Sequence, residues 1–388
     1  MLEKEIYHTR HRLTGFLSSR NHTKASARND GLFVSTIVIT FGLFTPMAPI
    51  QNGRVLFNAV PEDYPVPGET TVYDTSETID LENVSLNGGI LVKVLVLSID
   101  PYMRGRLREP GGEILHRMPP FVLGQPLASG GIGVVLRSEF PGVEAGAHVR
   151  GLLLHQEYMI APNPAMLEVL ERDTRLDWSI YIGAAGMPGE TAFMGWREYS
   201  DAKKGEVAFI TTGGGPVGAM AIQIAKQDGV KVIASAGSEE KVKFMKEIGA
   251  DVAFNYKTTD VREVLAKEGP IDIYWDNVGG GYTRRGHGIC QPAREECGQI
   301  SGYNTGVKPM KNPMLIVAKS LHVHGFLVGS LRPKYAATFN SEVVSKLASG
   351  EFKYTEDVTH GLEKVGDVIL AVLKGTNTGK AVVRVAIE

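Results

Sequence analysis

Residues 207–227 read VAFITTGGGPVGAMAIQIAKQ, and this stretch decides the fold class. An apolar β-type run leads directly into the turn GGGPVG, and a segment with helical periodicity follows. Gly213, Gly215 and Gly218 have the GxGxxG spacing in the strand, turn and helix context that a dinucleotide site requires. Gly213 would permit the tight turn, Gly215 would let the backbone approach a pyrophosphate, and Gly218 would let the helix pack closely. The sequence predicts a dinucleotide site that also includes Val217.

The end of the second predicted strand indicates which dinucleotide is preferred. An NAD site usually has Asp or Glu there, about 20 residues after the glycines, to bind the ribose hydroxyls. Residues 233–241 instead read IASAGSEEK, so no acid stands at the strand end and Gly237 leaves room for a phosphate. Lys241, one turn into the next helix, could pair with a 2′-phosphate or, alternatively, with Glu239 or Glu240. The pattern favours NADPH.

Alternating β and α patterns extend this unit. From residue 176 onward, six strand candidates lie at residues 207–212, 231–235, 252–254, 271–276, 297–301 and 321–326, and helix-like runs lie between most of them. Buried strands that alternate with helices form a parallel sheet covered on both faces. We therefore predict a doubly wound NADP-binding domain at residues 176–329.

The chain before this unit has a different pattern. Between residues 53 and 175, short β-type runs are broken by Gly and Pro, which is typical of a compact β-rich barrel or sandwich. Near the C-terminus, a helix around residues 365–373 precedes a last strand, AVVRVAI, which we expect to return to the first domain. The predicted fold is α/β, with the β-rich domain at residues 47–175 and 330–388.

Residues 1–46 are expected to be an extension that is not part of this fold. They contain an apolar run of about 14 residues, which is shorter than the roughly 20 needed to span a bilayer. Glu3, Glu5 and a long polar leader do not suit a targeting peptide. A natural start at Met47, a targeting segment or tether, and an ordinary tail are the three interpretations.

Composition narrows the range of partners. Lys and Arg total 41 and Asp and Glu total 43, which gives a formal net charge of -2. A charge this small does not attract nucleic acid or an anionic membrane. Cys290 and Cys297 are the only cysteines of the sequence, which excludes a disulfide framework and a four-cysteine zinc site. We expect a soluble protein of the reducing cytoplasm that acts on a small molecule, without stable membrane insertion.

The sequence has no pattern for a catalytic metal. The β-rich region contains no cysteine, and His116, His148 and His155 lack paired ligand spacing. His322 and His324 share one face of a predicted strand, but two histidines without a third ligand are more typical of packed or exposed residues. We assign no residue to a metal, and hydride transfer from a nicotinamide is the chemistry that remains.

Longer motifs from Met47 to the C-terminus resemble one known family. They are similar to the zinc-free, NADPH-dependent alkenal/one double-bond reductases of the medium-chain dehydrogenase/reductase type, which include prostaglandin reductases. The motifs are SIDPYMRGRL (98–107), LGQPLASGGIGVV (123–135), GAAGMPGETAF (183–193), SAGSEEKV (235–242), FNYK (254–257), DNVGG (276–280) and CGQISGYN (297–304). The resemblance implies a GroES-like β-rich domain plus a Rossmann domain, a homodimer, and reduction of the C=C bond of α,β-unsaturated aldehydes or ketones.

The resemblance also implies roles for single residues. Five residues would contact the cofactor. Gly237, Lys241 and Tyr256 would surround its 2′-phosphate and Asn277 would lie by its nicotinamide. Asn377, in NTGKAVV, would close over the cofactor. Tyr102 and Tyr303 would face the substrate. Hydride addition to an enone leaves an enolate whose oxyanion needs a hydrogen-bond donor, and Tyr303, just past the fifth strand candidate, suits this role. Alternatively, Tyr303 only lines the pocket, and a cofactor hydroxyl or water supplies the proton.

One stretch departs from the family pattern. Residues 281–295 read GYTRRGHGICQPARE, with Pro292 and several charges where the family usually has an apolar helix that covers the sheet. A quinone reductase or an alcohol dehydrogenase on the same scaffold, and a non-catalytic NADPH-binding protein, are the alternative functions. The motif CGQISGYN favours the double-bond reductase.

Overall fold

The computed structural model describes residues 48–111, 118–279, 290–296, 298–306 and 313–388, and it describes residues 290–296 as backbone. The predicted extension at residues 1–46 lies outside the described residues. So does most of the stretch that departs from the family pattern, at residues 281–289. No helix within the described ranges is both long and apolar enough to cross a membrane.

The first part of the chain is rich in short strands, as predicted. The elements are β1 (Ile50–Gln51), β2 (Arg54–Phe57), β3 (Thr71–Asp74), β4 (Thr78–Ile79), β5 (Ile90–Ser98), α1 (Met103–Arg106), β6 (Ala128–Ser138), β7 (His148–Leu154), β8 (Tyr158–Ala161) and β9 (Glu168–Val169). Strand β5 reads ILVKVLVLS and is buried along almost its whole length. A run of Val, Ile and Leu without alternation is what a strand covered on both faces requires.

Strands and helices then alternate. The elements are α2 (Met187–Tyr199), β10 (Val207–Ile210), α3 (Pro216–Gln227), β11 (Lys231–Ala236), α4 (Glu239–Glu247), β12 (Val252–Asn255), α5 (Val261–Glu268), β13 (Ile271–Asp276), β14 (Cys290–Glu296), α6 (Met314–Ala318) and β15 (His322–Gly325). The strands form one parallel sheet in the order β12-β11-β10-β13-β14-β15, so the doubly wound prediction is confirmed. The order reverses between β10 and β13, and such a reversal opens a crevice at the carboxyl ends of these strands.

The fifth strand of this sheet lies earlier than predicted. We expected it at residues 297–301, but the backbone of Cys290–Glu296 pairs with β13 and β15 instead. Residues Ile300–Gly302 form a 3-10 turn, and two of its amides donate to the carbonyls of Asn277 and Val278, just beyond the end of β13. Because these bonds occupy the amides that a strand ladder would need, the strand prediction at 297–301 is wrong.

Both faces of the parallel sheet are covered, as the burial of β10 shows. Ala208 and Ile210 belong to one buried cluster, whereas Phe209 belongs to a second cluster on the other face. This alternation follows from the strand geometry, in which successive side chains point to opposite faces. A polar substitution at any of these three positions would bury an unpaired group.

The C-terminal part divides between the two halves of the fold. Its elements are α7 (Arg332–Phe339), a π-helical turn (Asn340–Val344), α8 (Ser345–Ser349), β16 (Glu356–His360), α9 (Val365–Lys374) and β17 (Lys380–Arg384). Strand β17 pairs with β16 and β5 in a 7-stranded sheet that also contains β6, β7, β8 and β9, so the predicted return of the last strand is confirmed. Helix α7 packs on α2 instead, where Arg332 pairs with Glu190 at 2.7 Å.

Candidate functional site

The glycine-rich turn after β10 brings α3 very close to the strand. A Cβ added at Gly218 would lie 2.4 Å from the Thr212 carbonyl oxygen, and one at Gly213 would lie 2.6 Å from the Met245 sulfur. The left-handed residue of this turn is Thr212, with a φ of 49°. Gly213 is therefore required for close packing, rather than for the backbone freedom that the spacing predicted.

The N-terminus of α3 faces the crevice between β10 and β13. Gly215 caps this helix and Pro216 occupies its first turn, where the missing amide hydrogen costs nothing. A Cβ added at Gly215 would meet only the Thr212 carbonyl oxygen, at 3.3 Å, so the backbone there is open to a ligand. The amides of a helix N-terminus, including that of half-buried Val217, bind phosphate groups. The turn thus fits the pyrophosphate of a dinucleotide.

Three residues predicted to surround a 2′-phosphate come together at the end of β11. A Cβ added at Gly237 would lie 2.9 Å from the Tyr256 hydroxyl oxygen, so the ring lies against the glycine. The stem of Lys241 packs on Gly214 of the glycine-rich turn, where an added Cβ would lie 2.7 Å from the Lys241 Cβ. Ser238 caps α4 by accepting a hydrogen bond from the Lys241 amide at 3.4 Å. This corner is continuous with the glycine-rich turn.

The Lys241 ammonium lies among charges of both signs. Its Nζ donates to the Gly375 carbonyl oxygen at 2.9 Å. Burial and the charge of Lys257 lower its pKa, whereas Glu240 and Asp357 act in the opposite direction. Glu239, one of the alternative local partners, instead accepts from the Asn255 side chain at 2.9 Å. Because nearby like charges disfavour the charged amine, an anion bound here would be stabilised by both lysines.

The two predicted asparagines have different surroundings. Asn277 follows β13, and its side chain donates to the Thr211 carbonyl oxygen at 2.7 Å while its amide donates to the Thr211 hydroxyl at 2.9 Å. These bonds tie the carboxyl ends of β10 and β13 together. Asn377 lies between α9 and β17 and donates to the Gly379 carbonyl oxygen at 2.8 Å. Gly379 lines the same cleft as the glycine-rich turn.

Tyr102 stands at the start of α1 beside buried charges. Burial and the nearby Asp100 raise the pKa of its hydroxyl, whereas Arg106 and a hydrogen bond with the Gly130 backbone act in the opposite direction. The phenol therefore stays protonated at neutral pH, and a protonated phenol can donate a hydrogen bond.

Tyr303 lies at the end of the turn that replaces the predicted strand. Its hydroxyl oxygen accepts a hydrogen bond from the Gln299 amide at 3.4 Å. The turn follows β14, so Tyr303 remains at the carboxyl edge of the sheet even though the strand ends earlier than predicted.

Sequence reasoning missed a buried ion pair beside the cleft. The Lys380 Nζ donates to the Asp100 carboxylate at 2.9 Å and to the Ile99 carbonyl oxygen at 2.8 Å. The Ser98 hydroxyl donates to the same carboxylate. Lys380 also lines the cleft opposite the glycine-rich turn. Both charged residues lie inside motifs quoted above, SIDPYMRGRL and NTGKAVV, and this was the signal that could have found them.

Histidines do not assemble into a metal site in the part of the chain that the structure describes, where no group of three or more His, Cys, Asp or Glu could hold an ion. The rings of His322 and His324 lie 6.2 Å apart, and His324 stacks on Tyr199 at 4.8 Å. His155 is buried with its Nε2 2.8 Å from the Ser129 hydroxyl. Burial lowers its pKa to about 3, so it is neutral at physiological pH.

Two family models match the chain. One is described as the N-terminal domain of oxidoreductase and matches residues 54–169. The other is described as zinc-binding dehydrogenase and matches residues 216–345. The first range falls in the β-rich part of the chain, and the second contains most of the parallel sheet.

Two similar proteins align with most of the chain. A 2-alkenal reductase (NADP(+)-dependent) of Nicotiana tabacum is 34% identical over 87% of this chain and 99% of its own length. A (+)-pulegone reductase of Mentha piperita is 36% identical over 78% of this chain and 89% of its own length.

A solved structure shares the fold. The crystal structure of CurA in complex with NADPH from Vibrio vulnificus has a TM-score of 0.77 and 27% identity, and the match covers 87% of this chain and 100% of that one. The architecture is therefore a GroES-like β-rich domain plus a Rossmann domain, as the resemblance implied.

Proposed function

Because the chain belongs to the NADPH-dependent enone reductases of the medium-chain dehydrogenase/reductase family, we propose that it reduces the C=C bond of α,β-unsaturated aldehydes or ketones. The observation that carries the proposal is the similarity to the tobacco 2-alkenal reductase over nearly the whole of that protein. The open glycine-rich turn at the crevice between β10 and β13 supports it.

NADPH, when bound, supplies the hydride for this reduction. We propose that the amides of the glycine-rich turn hold its pyrophosphate and that Lys241, with Gly237 and Tyr256, holds its 2′-phosphate. The packing of Lys241 on Gly214 of the turn and of Tyr256 on Gly237 supports this assignment. Asn277 would lie beside the nicotinamide, and Asn377 would close the cleft from the C-terminal side.

Tyr303 is the proposed catalytic residue. Reduction at the β carbon puts negative charge on the carbonyl oxygen of the substrate, and a donor aimed at that oxygen stabilises the charge. Tyr303 carries a phenol hydroxyl at the carboxyl edge of the sheet, and a tyrosine hydroxyl is a donor of the required kind. Tyr102, whose hydroxyl pKa is raised by burial, is assigned to the substrate side of the cleft, with a smaller share in the chemistry.

A substrate screen tests the proposed reaction. Purified protein would be mixed with NADPH and, in separate samples, an enal, a quinone and a saturated aldehyde, each with and without EDTA. We expect NADPH oxidation with the enal that EDTA leaves unchanged, since the β-rich region offers no cysteine ligand. Oxidation with the quinone alone would favour a quinone reductase, and oxidation with the aldehyde alone would favour an alcohol dehydrogenase. No oxidation in any sample would favour a non-catalytic NADPH-binding protein.

The Lys241→Ala variant tests the preference for NADPH. Removing one charge-assisted contact costs about 1.5 to 3 kcal/mol, so the KM for NADPH should rise roughly tenfold or more, with little change for NADH. Lys243→Ala is the matched control, because Lys243 lies on the same helix with an exposed side chain. Equal effects of Lys241→Ala on both cofactors would contradict the role of the ammonium.

We also propose a cytoplasmic homodimer with the domain division stated above. The exposed apolar side chains of Val317 and Leu327, on either side of the edge strand β15, support self-association. Residues 47–175 and 330–388 are assigned to the GroES-like domain and residues 176–329 to the Rossmann domain. Helix α7 belongs to the first of these ranges by sequence but packs on α2 of the second. Sedimentation of the purified chain would distinguish a dimer from a monomer.

A further inference from the structure

Arg104 is a nearly buried arginine whose partners come from three segments of the chain. It is 9% exposed, and its Nε donates to the Asn304 side-chain oxygen at 2.8 Å. Its guanidinium also donates to the carbonyl oxygens of Asp63, at 2.8 Å, and of Pro61 and Leu107, each at 3.3 Å. These last three acceptors belong to the β-rich part, whereas Asn304 follows the parallel sheet.

The chemistry of this contact makes its loss costly. A buried guanidinium stays charged, so its desolvation must be offset by hydrogen bonds. Burial lowers the pKa of Arg104, and the nearby Asp63 acts in the opposite direction. A hydrogen bond from a charged donor is stronger than one between neutral groups, so the bond to Asn304 fixes the loop that carries this side chain.

The two partners stand next to the two proposed substrate-side tyrosines. Arg104 lies two residues after Tyr102 on α1, and Asn304 directly follows Tyr303. The turn before Tyr303 also contacts the end of the parallel sheet, because the Ser301 hydroxyl donates to the Val278 carbonyl oxygen at 2.7 Å. The hydrogen bond from Arg104 therefore links the segment of Tyr303 to the segment of Tyr102.

We propose that Arg104 and Asn304 are a positioning pair, which fixes the segment of Tyr303 relative to the segment of Tyr102. The inference rests on the proposed role of Tyr303. Neither partner needs to touch the substrate. A displacement of about 1 Å in a reacting group can cost on the order of a hundredfold in rate, so a partial loosening of this loop should lower kcat without weakening the cofactor site.

Three variants at and beside Asn304 test the pair. Asn304→Ala removes the acceptor, and we expect kcat to fall roughly tenfold with the Kd for NADPH unchanged. Asn304→Asp keeps an oxygen that can accept from Arg104, and it should restore most of the lost kcat. Thr305→Ser is the matched control on the exposed neighbour, because it keeps the hydroxyl that donates to the Ser301 carbonyl oxygen at 3.2 Å, and we expect kcat at the wild-type level. Variants of Arg104 are less informative, because they also remove the bonds to the β-rich part.

A double-mutant cycle separates positioning from a general structural role. If Asn304 acts through Tyr303, Asn304→Ala should add little to the defect of Tyr303→Phe. Wild-type kcat in Asn304→Ala, alongside a reduced kcat in Tyr303→Phe, would overturn the pair and leave the proposed function intact. Fully additive losses in the double variant would also overturn it. Wild-type kcat in Tyr303→Phe would remove the proposed role of that tyrosine and this inference with it.

Discussion

Tyr303→Phe is expected to lower kcat for an enone on the order of a hundredfold, because removing one oxyanion donor typically costs about 2.7 to 4 kcal/mol of transition-state stabilisation. The substitution removes only the hydroxyl and leaves the ring in place. The KM for NADPH should stay at the wild-type value, since the ring lies outside the corner formed by Gly237, Lys241 and Tyr256. Steady-state kinetics with NADPH varied and then enone varied would measure both parameters.

Tyr102→Phe is the matched control for this prediction. It removes a hydroxyl of the same chemistry from α1, and we expect a smaller effect that falls mainly on the KM for the enone. Wild-type kcat in Tyr303→Phe would eliminate the donor role and leave a cofactor hydroxyl or water as the proton source. A larger loss in Tyr102→Phe than in Tyr303→Phe would exchange the two assignments.

Lys380→Met is expected to lower the free energy of unfolding by about 3 to 5 kcal/mol, the usual cost of removing one partner of a buried ion pair. The Lys380 side chain is 3% exposed and that of Asp100 is 6% exposed. Methionine fills a similar volume but cannot donate to the Asp100 carboxylate. The buried carboxylate then loses its ammonium partner and keeps the hydrogen bond from the Ser98 hydroxyl. Urea unfolding followed by circular dichroism would measure the difference.

A surface ion pair provides the control for Lys380→Met. Lys334 pairs with Glu198 at 2.6 Å, but its side chain is 62% exposed, and exposed pairs contribute about 0 to 1 kcal/mol. The double variant Lys380→Met/Asp100→Asn should recover part of the stability, because it no longer buries a lone charge. Equal, small losses for Lys380→Met and Lys334→Met would show that the buried pair does not hold β17 to the segment after β5.

The parallel sheet could be predicted because most of its strands are short apolar runs between helices. The fifth strand could not. Residues Cys290–Glu296 read CQPAREE, and a proline with three charges argues against an interior strand. Residues 297–301 read CGQIS, without a charge or a proline, so we predicted the strand there. The amides of Ile300 and Ser301 in this segment instead donate to carbonyl oxygens just beyond the end of β13.

Some features of the candidate site could be predicted from the sequence and others could not. The glycine-rich turn could be predicted because its signal is local, with all of its residues within one strand, turn and helix. The Arg104–Asn304 bond and the Lys380–Asp100 pair could not, because their partners stand 200 and 280 residues apart in the chain. Such contacts depend on the packing of the two halves of the fold, which hydrophobic periodicity does not report.

The carbon atom that receives the hydride distinguishes C=C reduction from carbonyl reduction. The protein would be incubated with an enal and NADPH that carries deuterium at the transferable position of the nicotinamide, and the product would be analysed by NMR. We expect a saturated aldehyde with deuterium on the β carbon. An allylic alcohol with deuterium on the former carbonyl carbon would contradict it, and so would recovery of the unlabelled enal.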